Sequence, residues 1–169
     1  IEGVVNLNKV EGGAIGAFVD DLLFPGIPAT DGSTEGFATE FVTFLDLPAG
    51  TITMGVTSDD GFQVRAGLLE DFFLGTSLGE FSGGRGAAET AFSFVIPEAG
   101  VYPFRMTYEQ GGGDANVEWY TVGTDGTKTL INDLANGGVK AYRAATVKAK
   151  DPYIASVSPV PGPRQQNKV

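Results

Sequence analysis

The sequence contains no cysteine and no histidine, and these two absences exclude several classes of site at once. Thiolate and imidazole ligands for zinc or haem are lacking, as is the machinery of Cys-His or Ser-His-Asp catalysis. Disulfide bonds are excluded as well, so cysteine usage gives no information about the redox state of the protein's compartment. The metal chemistry that remains available to the side chains is ligation through oxygen atoms.

Long hydrophobic runs and positive charge are also scarce. No stretch approaches the ~18 consecutive apolar residues that a membrane span needs. Residues 1–139 carry 20 acidic and 5 basic side chains, whereas residues 140–169 carry 1 acidic and 6 basic ones. An acidic body disfavours nucleic acid and anionic membranes as partners and favours divalent cations. Because the chain begins at Ile1, it is interpreted as a processed product that has lost a targeting segment.

Glycine and proline are abundant, with 25 and 9 in 169 residues, which is typical of short elements joined by many turns. Segments rich in aromatic and β-branched residues lie between these turns, for example TITMGV, TAFSFVI and NVEWYTV. Residues 68–81 are compatible with either a short helix or an irregular loop, and residues 123–128 predict a hairpin turn. The pattern predicts one all-β domain over residues 1–147.

Two adjacent carboxylates, Asp59 and Asp60, interrupt the pattern in the segment TSDDGFQVRAG. One interpretation is a polar turn, because Asp-Gly is a common hairpin dipeptide, and the flanking segments then form a hairpin with the aspartates at its tip. The other interpretation is a cation site. Calcium takes 6–8 oxygen ligands, so a cation site also requires a second oxygen-rich loop.

Two segments together, TMGVTSDDGFQVRAG and AGVYPFRMTYEQGGGDANVEWY, resemble the PA14 domain, a family found in bacterial surface proteins, glycosidases and yeast adhesins. The resemblance covers about residues 10–140. It implies a PA14-like β-sandwich with jelly-roll character. The yeast lectins of the family carry disulfides that shape sugar choice, and this chain has none, so no particular glycan is carried over.

In lectin-like members of the family, two adjacent aspartates joined by a cis peptide bond bind calcium together with a second loop. The resemblance implies that Asp59 and Asp60 are these ligands, and that residues 111–118 form the second loop. Asp114 or Asn116 is then its side-chain ligand. Those members use the calcium ion to hold vicinal sugar hydroxyls, so the expected cofactor is calcium and the expected partner is a glycan or another extracellular ligand.

Three further residues beside this loop are candidates for ligand contact: Gln110, Glu118 and Trp119. For Trp119 the alternative is packing in the core of the sandwich. Catalysis is not expected, because the paired carboxylates of glycosidases stand about 5–10 Å apart across a cleft, whereas sequence neighbours at a turn project differently.

Two other polar features receive a structural interpretation. Asp20 and Asp21 form a second acidic pair, but no glycine follows them and the strand-turn-strand pattern is missing. They are set aside as calcium ligands, with an accessory cation as the alternative. Arg85, in the glycine-rich segment SGGRG, is expected on the solvated surface.

Residues 148–169 contain four prolines and little periodicity. They predict a Pro-rich linker or extended C-terminal arm. Such an arm can be the first strand of a following immunoglobulin-like domain, or a strand donated to a neighbouring subunit.

The chain is therefore predicted to be a non-enzymatic, calcium-dependent carbohydrate-binding or adhesion module of a secreted or cell-surface bacterial protein. Neither nucleic-acid binding nor membrane insertion is expected. The alternative is a structural subunit or spacer of an extracellular filament or matrix, in which calcium is structural only and the C-terminal arm mediates subunit contacts.

Overall fold

The computed structural model describes residues 3–67, 75–143 and 157–159, which form two β-sheets. The first sheet has the spatial order β12 (Val157–Pro159), β7 (Ala88–Ile96), β4 (Gly50–Asp59), β9 (Asn116–Val122), β1 (Asn6–Asn8) and β2 (Leu22–Leu23), and β10 (Lys128–Leu130) also pairs with β9. The second has the order β11 (Ala141–Tyr142), β3 (Phe37–Leu47), β8 (Gly100–Gln110), β5 (Phe62–Ala66) and β6 (Thr76–Phe81). A 3-10 helix, Leu134–Asn136, follows β10.

The core lies between the two sheets. Alternate residues of the strands are buried, as the period of two in a β-strand requires. Within β7, for example, Phe92, Phe94 and Ile96 share the buried face. Both sheets supply large side chains to this core, including Leu7, Leu45, Met54, Val56, Phe104, Met106, Val117 and Trp119. The prediction of an all-β sandwich is therefore confirmed.

The connection through Asp59 and Asp60 differs from the hairpin that the sequence predicted. Strand β4 pairs with β7 and β9 in the first sheet, whereas β5 pairs with β6 and β8 in the second. The hairpin prediction is wrong, because the turn carries the chain from one sheet to the other. The two aspartates therefore lie at a crossover between the layers of the sandwich.

Two other local predictions have clear outcomes. The turn at residues 123–128 is confirmed as a hairpin, since β9 and β10 are antiparallel and the Gly123 N–H donates to the Thr127 carbonyl at 2.8 Å. In the ambiguous stretch 68–81, residues 76–81 form strand β6, and residues 68–74 lie outside the described part of the chain.

The described piece of the C-terminal arm is strand β12. It pairs antiparallel with β7 of the same chain, with Val157 opposite Phe94, at one edge of the first sheet. The rest of the predicted arm, residues 148–156 and 160–169, lies outside the described residues. Within the described ranges, no helix has the length and hydrophobicity to cross a membrane.

Candidate functional site

The turn between β4 and β5 contains a cis peptide bond between Asp59 and Asp60. Both side chains are largely buried, with 8% of each residue exposed. The Tyr108 hydroxyl donates to the Asp59 carbonyl, and the Ser58 hydroxyl donates to the Asp60 carbonyl at 2.7 Å. The main chain of the turn is therefore held on both sides by hydroxyl groups.

The Asp60 carboxylate connects two loops that are distant in sequence. Its Oδ1 accepts the Arg85 N–H at 2.9 Å, and its Oδ2 accepts the Gly111 N–H at 2.8 Å. A carboxylate oxygen has further lone pairs beyond these bonds. Asp60 therefore orders residue 111, the first residue of the predicted second loop, and retains the capacity to bind a cation.

The Asp59 carboxylate lies in an acidic environment. Burial raises the pKa of Asp59 above its ordinary value, and the negative charges of Asp60 and Asp114 raise it further. The Ala87 N–H and the Lys9 ammonium act in the opposite direction. A divalent cation at this turn would relieve the repulsion, because it would supply positive charge beside these carboxylates.

The second loop is braced by Gln110, which is 2% exposed. Its Nε2 donates to the Asp114 carbonyl at 2.9 Å, and its Oε1 lies 3.1 Å from the Tyr108 hydroxyl. Gln110, which was predicted to contact a ligand, thus donates a hydrogen bond to the second loop. The Asp114 side chain is 71% exposed, so its carboxylate remains open to solvent or to a ligand.

Asn116 lies beside Asp59, because the two residues are directly paired between β9 and β4. Asn116 is fully buried, and its Nδ2 donates to the Ile15 carbonyl at 3.1 Å. Its Oδ1 has no hydrogen-bond partner. A buried acceptor without a donor is costly, and such an oxygen next to a carboxylate is suited to a cation.

Lys9 brings a positive charge to this acidic region, and the sequence analysis did not single it out. Its ammonium donates to the Gly113 carbonyl and lies 3.6 Å from both Glu35 Oε1 and Asp114 Oδ1. The contact joins the residue that follows β1 to a loop more than 100 residues later, so no local pattern could indicate it. Lys9 partly neutralises the second loop.

Arg85 was predicted to lie on the solvated surface, and this prediction is wrong. It is half-buried, and its guanidinium lies over the Phe81 ring at 4.2 Å. Its Nε donates to the Ser58 carbonyl at 3.0 Å and a terminal nitrogen donates to the Ser58 hydroxyl at 2.7 Å. Arg85 therefore supports the residue that precedes the two aspartates.

Two of the predicted contact residues are buried away from solvent. Trp119 is 1% exposed and packs in the core against Phe104, with ring centroids 6.2 Å apart. The alternative of core packing for this residue therefore holds. Glu118 is fully buried on the opposite face of β9, where its carboxylate accepts the N–H groups of Ala17 and Phe18 at 2.9 Å. Neither side chain is accessible to a sugar in this conformation.

The donor set at the turn fits a hard cation such as calcium. It combines the carboxylates of Asp59 and Asp60 with the unpaired amide oxygen of Asn116. In the described ranges, no three acidic side chains cluster as a metal centre. An ion at this turn therefore depends on amide and main-chain oxygens to complete its coordination.

A cavity of about 410 Å³ begins next to this turn. Its wall includes Phe62, which follows Gly61 directly, and the polar side chains of Gln63, Glu80 and Glu109. A larger cavity of about 800 Å³ is bordered by Trp119, and neither cavity is lined by Asp59 or Asp60. The smaller cavity adjoins the turn through Phe62 and through Tyr108, whose hydroxyl donates to the Asp59 carbonyl.

No family model matches the sequence. No curated protein matches it either. Among solved structures, the chain is similar to the crystal structure of the PA14 domain of the MpAFP antifreeze protein, with 23% sequence identity and a TM-score of 0.49. The predicted resemblance to PA14 domains is confirmed. The similarity covers 63% of this chain and 52% of the matched PA14 chain, and at this identity it concerns the fold alone.

Replacing Lys9 by methionine is expected to increase the affinity of the turn for calcium about tenfold. A unit charge about 6 Å from a divalent ion opposes binding by ~1.4 kcal/mol even at the dielectric constant of water. Calcium calorimetry on the Lys9→Met variant measures this effect, with Lys9→Arg as the control that keeps the charge. Weaker binding in Lys9→Met would contradict it and would show that the ammonium organises the loop for the ion.

Proposed function

We propose that this chain is a non-enzymatic, calcium-dependent carbohydrate-binding or adhesion module of a secreted or cell-surface bacterial protein. The observation that carries the proposal is the hydrogen bond from the Gly111 N–H to the Asp60 carboxylate, since it joins the two halves of one oxygen-rich site. Asp59, Asp60 and Asn116 would hold the ion, with main-chain oxygens of the second loop. When bound, calcium would supply open coordination positions for vicinal sugar hydroxyls.

The neighbouring cavity supports a polar ligand. Gln63 and Glu80 lie on its wall and are bonded to each other at 2.6 Å, so their positions are defined before a ligand arrives. Glu109 on the same wall accepts the Gly83 N–H at 3.4 Å. Ordered carboxylate and amide groups of this kind are suited to accept hydrogen bonds from sugar hydroxyls.

Retention on immobilised glycans in millimolar calcium, and again in excess chelator, tests this function. We expect retention on a subset of glycans that is lost in chelator and restored when calcium is returned. Circular dichroism in both solutions checks that the fold is unchanged. Retention that persists in the chelator would contradict a calcium-mediated sugar site. So would a protein that binds calcium but is retained on none of the glycans.

A second candidate function is that of a structural subunit, which the pairing of β12 favours. Strand β12 adds to the free edge of β7, and the same hydrogen bonds can form with β7 of another chain. In this case the protein would form concentration-dependent oligomers that disappear when residues 148–169 are deleted. Light scattering after size-exclusion chromatography distinguishes this outcome from a monomer that binds glycans.

A further inference from the structure

A second group of buried polar side chains lies on the outer face of the first sheet, where Glu118 is two residues along β9 from Asn116. The group consists of Asn6 on β1, Asp21 directly before β2, and Glu118 on β9. Their exposed fractions are 3%, 1% and 0%, respectively. Residues 13–21 lie across these side chains, because the N–H groups of Ala17 and Phe18 donate to Glu118 and the Val19 carbonyl accepts from Asn6. These contacts produce a closed, polar layer outside the hydrophobic core.

The layer contains two carboxylates and no basic side chain to balance them. The ion pairs of the described residues are made by Lys9, Arg105 and Lys128 with other acids, and none of them involves Asp21 or Glu118. Buried carboxylates are normally paired, metal-bound or protonated. Burial raises the pKa of Glu118 above its ordinary value, whereas the N–H groups of Ala17 and Phe18 and the Thr57 hydroxyl favour its charged form and act in the opposite direction.

The unpaired atoms of the layer are all oxygens. Asp21 Oδ2 accepts the Asn8 amide at 2.9 Å, but Asp21 Oδ1 is buried without a partner. Asn6 Nδ2 donates to the Val19 carbonyl at 3.0 Å, which fixes the amide orientation and leaves Asn6 Oδ1 buried without a partner as well. Both oxygens require a positive or proton-donating group.

Strand register places these groups next to one another. Asn6 is directly paired with Glu118 across β1 and β9. On its other side, Leu7 is paired with Leu22 between β1 and β2, so Asp21 comes beside Asn6. Asn6 therefore has Glu118 opposite it on β9 and, on its other side, Asp21 directly before β2. A water molecule could donate to the unpaired oxygens, whereas a cation would bind them and would also balance the charge of an ionised carboxylate.

We propose that Asp21 and Asn6, beside the Glu118 carboxylate, form a second calcium site, buried under residues 13–21. Two carboxylates in their ionised forms would match the charge of a divalent ion, and carboxylate and amide oxygens are the ligands that calcium prefers. This site is independent of the glycan-binding proposal. Its role is to hold residues 13–21 against the sheet.

The number of calcium ions bound per chain tests this site. We expect two for the wild type, one for Asp59→Asn, one for Asp21→Asn and none for the double variant, as measured by calorimetry and by metal analysis after equilibrium dialysis. Asp20→Asn is the matched control, because Asp20 is exposed and removal of the same charge one residue away leaves two ions bound.

Asp21→Asn is designed to fold without the ion. The new amide oxygen can accept from Asn8 as Asp21 Oδ2 does, and the new amide nitrogen can donate to Asn6 Oδ1. Calcium should therefore raise the melting temperature of Asp59→Asn but not that of the double variant. The Asp59→Asn result alone tests the proposal, since the native second site is intact in that variant.

The two proposals fail in different ways. If Asp59→Asn binds no calcium and its melting temperature does not respond to the ion, the second site is overturned and ordered water fills the layer. If the wild type binds one ion that persists in Asp59→Asn and is lost in Asp21→Asn, the second site is supported and the calcium site of the proposed function is rejected.

Discussion

Calcium binding at the turn is expected to weaken by about 100-fold or more when Asp59 is replaced by asparagine, a loss of ~2.7 kcal/mol. The substitution removes one of the two charged ligands and keeps the side-chain size. Asp59 is the better choice than Asp60, whose two oxygens accept the Arg85 and Gly111 N–H groups. An asparagine at position 60 would place an amide nitrogen against one of these donors and disturb the loops directly.

Calorimetry on Asp59→Asn, with Asp46→Asn as its control, measures this loss. Asp46 is exposed on β3 and distant in the fold from the turn, so its replacement removes the same formal charge without touching the site. Unchanged calcium affinity in Asp59→Asn would show that the carboxylate of Asp59 is not a calcium ligand and that the turn is only a polar connection between the sheets. The structural-subunit function would then be favoured. Equal losses in both variants would point to net charge rather than ligation.

Replacing Trp119 by alanine is expected to lower the free energy of unfolding by about 3–5 kcal/mol, the range for large aromatic-to-alanine changes in a core. Trp119 is 1% exposed and lies between the sheets against Phe104, so its truncation leaves a cavity that the rigid strands cannot close. Denaturant unfolding should show a lower midpoint with an unchanged slope.

Trp119→Phe is the matched variant for this test. The indole Nε1 has no hydrogen-bond partner, so phenylalanine removes part of the packing without leaving a polar group unpaired. It should cost much less than alanine. The core assignment predicts that neither variant alters glycan retention per folded molecule. An unchanged free energy of unfolding together with lost retention would instead place the indole at the ligand.

The presence of the strands was predictable, because it depends on the local alternation of apolar residues along the sequence. Alternating large apolar residues in β7 and β8 lie in the core as the period of two requires. The hairpin between β9 and β10 follows from the turn residues between two strands. The crossover at Asp59–Gly61 was mistaken for a hairpin because Asp-Gly serves both connections. Only pairing with β7, β8 and β9 decides which sheet each flanking strand joins.

The polar contacts around the candidate sites were less predictable. Arg85 was expected in solvent, yet it lies over Phe81 and bonds to Ser58, 27 residues earlier in the chain. Asp21 was set aside because its local sequence lacks a glycine, and its burial follows from the pairing of β1 with β2 and β9. Such contacts depend on which distant segments the sheets bring together.

By itself, the sequence determined the all-β class, the oxygen-only ligand chemistry and the two acidic segments, since composition, periodicity and turn residues are local properties. The tertiary structure alone decided which polar groups lie together. It joined Asp60 to Gly111, paired Asp59 with Asn116 and placed the Lys9 ammonium against the second loop. Cation ligation requires oxygens to converge in space, and in a sandwich their convergence is set by the order and register of strands far apart in the chain.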